Sequence, residues 1–173
     1  MGKMPKKYIS YFKVGTYFIV IFLSVFLLSV FFIFGNKKTL KNATKCKHSK
    51  NSFCCVEYVK NYDGDTITVN INGVHFLFGT SINVRVAGID TPELRTKNKC
   101  EKEKAIIARD LVKDLLVNAS RIDLVNTGRG KYFRIVADVI IDGKLNLKDT
   151  LLQKGLAYEY DGGRKQKINW CKQ

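Results

Sequence analysis

Apolar and polar positions divide the chain into regimes with different periods. From Val14 to Phe34 the run VGTYFIVIFLSVFLLSVFFIF has no charged residue over 21 positions. A helix of that length, rising about 1.5 Å per residue, spans a hydrocarbon core of about 30 Å. Buried helices of soluble domains rarely stay apolar on every face for so long, so the run predicts one N-terminal transmembrane or signal helix. Beyond residue 52 the pattern shifts to short stretches bounded by turn residues. FCCVEYVK (53–60), TITVNI (66–71), VHFLFG (74–79) and INVRVAGI (82–89) read as strands, with turns at 61–64 and at Asn72-Gly73. The period then lengthens over Glu101–Val117, where Ala105, Ala108, Leu111, Val112, Leu115 and Leu116 share one helical face.

Two further strands are expected over about 121–126 and 132–141, with Asp142-Gly143 turning after the second. A short helix over Leu147–Lys154 stops at Gly155, which suits its C-terminal cap, and LAYEY (156–160) is extended. This order predicts an α+β domain built on a partly closed antiparallel barrel. Val84, Val86, Ile89, Leu111, Leu115, Ile135, Val139, Leu151 and Leu152 are its expected core. The chain therefore divides into a basic N-terminal region (1–13), the apolar helix (14–34), a lysine-rich linker (35–52) and one domain (53–173).

Charge changes this picture in one respect. The formal net charge is +15, but residues 1–50 hold ten lysines and no acid. The rest is only modestly basic, enough to favour an anionic partner without identifying one. Lys3, Lys6, Lys7 and Lys13 precede the apolar run, which ends without a small-x-small cleavage site. An uncleaved membrane anchor is thus expected, with a secreted or periplasmic product after cleavage as the alternative. The lysines after residue 34 would, by themselves, hold the domain inside. Cysteines and substrate argue for the extracytoplasmic side. Cys46, Cys54, Cys55, Cys100 and Cys171 contain no CxxC pair, so structural zinc is not expected. They fit one or two disulfides in an oxidising compartment, or five reduced thiols on the cytosolic side.

The candidate chemistry lies in Asp63-Gly64-Asp65-Thr66, Arg85, Asp90-Thr91-Pro92-Glu93 and Arg134. Each acidic group alone is an ordinary turn. Together, two acidic turns that end β segments can converge at one end of a barrel and offer hard oxygen ligands for Ca²⁺ or Mg²⁺. Arg85 lies between Val84 and Val86 and faces away from both if the strand alternates. Arginines bind phosphate oxygens in a fork and stay charged.

DGDT, the Arg85-x₄-DTPE spacing and KYFR at 131–134, in this order, resemble the staphylococcal nuclease, or thermonuclease-like, family from about Cys54 to about Tyr160. The resemblance implies an OB-fold: a five-stranded antiparallel barrel capped by helices. It also implies Ca²⁺ held by the carboxylates of Asp65 and Asp90 and the backbone carbonyl of Thr91, with Asp63 in support. Glu93 would activate water, and Arg85 and Arg134 would contact phosphate. Losing either arginine is expected to cost orders of magnitude in rate with less effect on folding. Gly130 and Phe133 depart from the family pattern, where an acid and a glycine are usual, so a different local loop is expected before Arg134. A shorter tail, tied down by a Cys100–Cys171 disulfide as in some exported relatives, also follows from the resemblance.

Lys131, Tyr132, Tyr158 and Tyr160 are possible substrate contacts, with Lys144, Arg164, Lys165 and Lys167 as steering charges. The reading is Ca²⁺-dependent hydrolysis of phosphodiester bonds in DNA or RNA, endonucleolytic, with little sequence specificity and single-stranded substrate favoured. The alternative is a catalytically inactive OB-fold nucleic-acid-binding module anchored to a membrane. No obligate protein partner is expected.

Overall fold

Residues 46–172 are described by the computed structural model. The basic region 1–13, the apolar run 14–34 and the linker as far as residue 45 lie outside the described residues. Among the described residues, no helix is long and apolar enough to cross a membrane.

The domain is α+β. Its strands are β1 (Ser52–Phe53), β2 (Glu57–Asn61), β3 (Thr66–Asn70), β4 (Ile82–Val86), β5 (Ile89–Asp90), β6 (Ile122–Arg129), β7 (Ile135–Ile141), β8 (Leu145–Asn146) and β9 (Tyr158–Glu159). The helices are α1 (Phe76–Gly79), α2 (Lys99–Val117) and α3 (Leu147–Gln153). In the main sheet the order is β1-β6-β7-β4-β3-β2, with β8 beside β7. β1 and β2 are consecutive pieces of one bent segment that pairs with β6 at one end and β3 at the other. The Val56 amide bridges the bend by donating to the Ile122 carbonyl. The sheet thus closes on itself through that segment, which is how five strand positions make a barrel.

Two local expectations are corrected. The barrel is mixed, because β4 pairs with β7 in parallel, Val84 opposite Ile135. Parallel neighbours need a long connection, and the chain between them carries α2 and β6. Residues 74–79 are not a strand. β3 pairs directly with β4, and the loop between them closes through the Ile71 amide on the Gly79 carbonyl at 2.7 Å. Inside it His75 caps the single turn of α1 by accepting from the Leu77 amide. Phe76, Leu77 and Phe78 are exposed there, so their hydrophobicity did not report burial.

Val84, Val86, Ile89, Val139 and Leu151 are buried, with Leu111, Leu115, Ile135 and Leu152 packed half-buried against them. α2 buries Ala105, Ala108, Val112 and Leu116, starts at an Asn98 side-chain cap and covers the barrel. Two disulfides close the ends of the domain. Cys46–Cys55 ties residues 46–52 to the bent strand, and Cys100–Cys171 ties the tail to the start of α2. Cys54 remains a thiol.

Candidate active site

Local structure delivers the acidic turns to one end of the barrel. In the first turn, Asp63 Oδ1 accepts from the backbone amides of Asp65 (3.3 Å) and Thr66 (2.8 Å). The turn also needs glycine at 64, where an added Cβ would meet Ala108 Cβ at 2.9 Å and Thr91 Cγ2 at 3.0 Å. That close approach seats DGDT directly on α2 and on the second acidic turn. The Asp65 carbonyl accepts from the Val86 amide at 2.8 Å, joining the turn to the end of β4. Strand alternation buries Val84 and Val86 and leaves Arg85 on the other face, as the sequence predicts.

Arg85 bridges the two buried carboxylates. Its Nη1 donates to Asp65 Oδ1 at 2.7 Å, and its Nη2 to Asp90 Oδ1 at 2.5 Å. Asp65 also accepts from the Thr66 hydroxyl (3.0 Å) and, on Oδ2, from the Thr91 amide (3.1 Å). Asp90 Oδ2 accepts from the Tyr158 hydroxyl at 2.8 Å and pairs with Lys165 Nζ at 3.0 Å. Lys165 Nζ reaches Glu93 Oε1 as well, at 2.7 Å. The Glu93 amide donates to Glu101 Oε1 at 3.3 Å, so the first turn of α2 holds the loop that carries Glu93.

Burial sets the electrostatics. The Asp65 carboxyl is pushed up to about 6, first by burial and then by the Asp63 charge beside it. Burial also raises Asp63. Tyr158 is pushed up to about 12 by burial and by its hydrogen bond to Asp90. For Arg85 and Lys165 burial acts downward, but the surrounding carboxylates outweigh it and both are raised. The site therefore holds more buried negative charge than its own cations neutralise comfortably. An all-oxygen set with that excess suits a hard divalent cation, and Ca²⁺ fits the donors present.

The acidic cluster opens into a cleft of about 690 Å³ lined in part by Asp63, Arg85, Glu93, Lys131, Arg134 and Tyr160. Arg134 Nε donates to the Lys131 carbonyl at 3.4 Å, and its guanidinium stands 5.9 Å from the centre of the Tyr132 ring. The turn before it differs from the family pattern in a way the structure accommodates. Gly130 donates to the Arg134 carbonyl at 2.8 Å, and a Cβ there would meet Val136 Cγ2 at 2.8 Å. Tyr132 and Phe133, in sequence between the cleft-lining Lys131 and Arg134, have φ of 58° each and stand 87% and 90% exposed.

The structure thus brings together Asp63, Asp65, Arg85, Asp90, Thr91, Glu93 and Arg134. Tyr160 joins the cleft wall, its hydroxyl donating to the Gly163 carbonyl at 2.8 Å. Tyr158 lies behind the acids, spending its hydroxyl on Asp90. Lys165 is the residue whose place sequence reasoning missed. It reads as one steering charge of a basic tail, and no spacing connects it to DTPE; a tail tied back by Cys171 is the one hint.

Residues 83–170 match the family described as staphylococcal nuclease homologue. That stretch is more than half of the 173-residue chain. The chain belongs to this family, whose domain is an OB-fold and whose members are generally nucleases. No curated protein matches the chain.

Proposed function

We propose that the chain is a membrane-anchored, Ca²⁺-dependent nuclease that hydrolyses phosphodiester bonds with little regard to base sequence. One observation carries the reading: Arg85, Arg134 and Glu93 converge on one cleft directly over the buried carboxylates of Asp65 and Asp90. Asp65, Asp90 and the Thr91 carbonyl would hold Ca²⁺. A bound cation of this kind offsets the negative charge that gathers on the non-bridging oxygens during phosphodiester hydrolysis.

The chain's own residues account for the remaining demands. Arg85 and Arg134 grip phosphate oxygens, and contacts to phosphate rather than to base edges carry no sequence information, which accounts for low sequence specificity. Glu93 accepts the proton of an attacking water once Lys165 releases its carboxylate. Tyr132, exposed beside Arg134, offers a stacking face for an unpaired base, which favours single-stranded DNA or RNA. The apolar run 14–34 supports anchoring, and two disulfides support an oxidising, extracytoplasmic setting.

The test is cleavage of circular single-stranded DNA by the full chain in detergent, with Ca²⁺ or with excess chelator, beside Glu93→Gln. Ca²⁺-dependent linearisation lost in Glu93→Gln is expected. Circles left intact by folded protein that still binds them would instead support an inactive binding module.

A further inference from the structure

We propose that Phe76, Leu77 and Phe78 dock the barrel onto the lipid bilayer as a second membrane contact. The proposal rests on the anchored reading of residues 14–34. These side chains are 67%, 65% and 72% exposed, consecutive, and grouped on one turn. No Asp, Glu, Lys or Arg interrupts the chain from Ile71 to Gly79. A contiguous exposed apolar patch of this kind marks a contact site.

The turn is built to hold them outward. The His75 ring lies 4.7 Å from the Phe76 ring and 6.0 Å from the Phe78 ring. The Phe78 amide donates to the His75 carbonyl, and the Thr80 amide to that of Phe76. A Cβ at Gly79 would meet Ile71 O and Val74 Cγ2, both at 2.5 Å, so the base of the loop is packed shut. The three side chains stand on a loop closed at its base by packing and backbone hydrogen bonds.

Position identifies the occupant. His48 Nε2 bonds the Asn72 carbonyl at 2.6 Å and lies 3.6 Å from where a Cβ would sit at Gly73. Cys46, two residues earlier, is fixed by its disulfide to Cys55. The first described residues, 46–48, therefore lie at the end of the barrel that carries α1. Lys47 and Lys50 are exposed there, and Lys37, Lys38, Lys41 and Lys45 precede them in sequence, a composition that suits anionic headgroups. Aromatic and aliphatic side chains on a basic surface are what the bilayer interface accepts. Three side chains fall well short of the roughly 1,200 Å² that a stable protein interface buries, which disfavours a second copy as the occupant.

Docking also orients the site. β3 runs from Asp65 toward α1, and β4 returns from α1 to Arg85. The acidic cluster therefore sits at the opposite end of this hairpin, roughly 15 Å away along the strands. With α1 in the headgroup layer, the cleft faces away from the membrane and admits a polymer.

The experiment uses the full chain reconstituted in vesicles of phosphatidylcholine and phosphatidylglycerol whose acyl chains carry bromine. Leu77→Trp reports the loop, and Tyr132→Trp reports the cleft mouth; native Trp170 is buried and provides the background. The expected result is blue-shifted emission quenched by bromine for Leu77→Trp and water-like, unquenched emission for Tyr132→Trp. Phe76→Ser combined with Phe78→Ser should relieve the quenching in Leu77→Trp. Protein that withstands an alkaline wash yet shows no quenching overturns the docking and leaves the anchor intact. Protein that washes off overturns the anchor and the docking together. A blue shift without bromine quenching means that protein, such as a second copy, covers the loop, and it also overturns the proposal.

Discussion

Lys165 Nζ lies 2.7 Å from Glu93 Oε1, placing a tail residue on the carboxylate proposed to activate water. The same ammonium pairs with Asp90 at 3.0 Å, so it acts as a tethered cation inside the acidic cluster. A divalent ion entering there competes with it. Lys165→Met should therefore tighten Ca²⁺ binding by roughly two- to fivefold, the scale of a partly exposed ion pair. Titration calorimetry on the full chain in detergent reads this directly. Unchanged or weakened affinity would show that Lys165 does not compete.

The two arginines should separate under mutation. Arg85 is mostly buried and serves two buried carboxylates, so Arg85→Met takes from Asp65 its one cation among the described residues, leaves Asp90 with Lys165, and should cost about 3 kcal/mol of stability. Arg134 has no carboxylate partner among the described residues. Arg134→Ala should leave stability within about 0.5 kcal/mol and lower kcat by roughly 100-fold or more. Urea unfolding beside initial rates checks both. Both arginines are expected to matter more for rate than for folding, and within that expectation Arg85 carries a structural share that Arg134 does not.

Asp65 gives the site a pH signature. Its pKa is 3.8 as an ordinary carboxyl and about 6 in the fold, so the folded chain holds this proton more tightly than the unfolded chain. Its contribution to stability is consequently full below 3.8 and lost as pH rises through about 6. Asp65→Asn removes the charge that burial penalises. Without added cation, its melting temperature should exceed that of the parent chain near neutral pH, and the gap should close at acid pH. Ca²⁺ added to the parent chain should narrow the gap from the other side, and should bind more weakly below about pH 6 as the proton competes. A gap that grows on acidification would contradict the assignment.

The sequence made the acid–arginine constellation legible because turn chemistry and strand alternation are local. Arg85 is aimed by the burial of its neighbours Val84 and Val86, and Asp63 is held by amides within three residues. The α2 face was readable for the same reason. What escaped depends on non-local closure. The parallel partnership of β4 and β7 follows from a long crossover, and Lys165 reaches Asp90 from a tail that returns to the site from far along the chain. Residues 74–79 misled for another reason. Their apolar character suggested a buried strand, whereas the β3–β4 pairing makes them the connecting loop and leaves Phe76, Leu77 and Phe78 exposed.

The tail fastening supplies the last prediction. Cys100–Cys171 closes 71 residues of chain, and Cys46–Cys55 closes nine. In the chain-entropy picture the longer loop contributes about 4 kcal/mol and the shorter about 3 kcal/mol, so Cys171→Ser should destabilise the domain more than Cys46→Ser. The two should differ further at the site. Trp170 is buried with its ring 6.1 Å from Tyr158, whose hydroxyl holds Asp90, and Lys165 lies in the same stretch of tail. Releasing Cys171 loosens the two groups that contact Asp90 Oδ2, Tyr158 and Lys165, whereas releasing Cys46 touches neither. Denaturant unfolding should rank the stabilities, and Trp170 fluorescence should turn red in native Cys171→Ser but not in native Cys46→Ser. Equal effects on Trp170 would mean that packing, rather than the disulfide, holds the tail on the site.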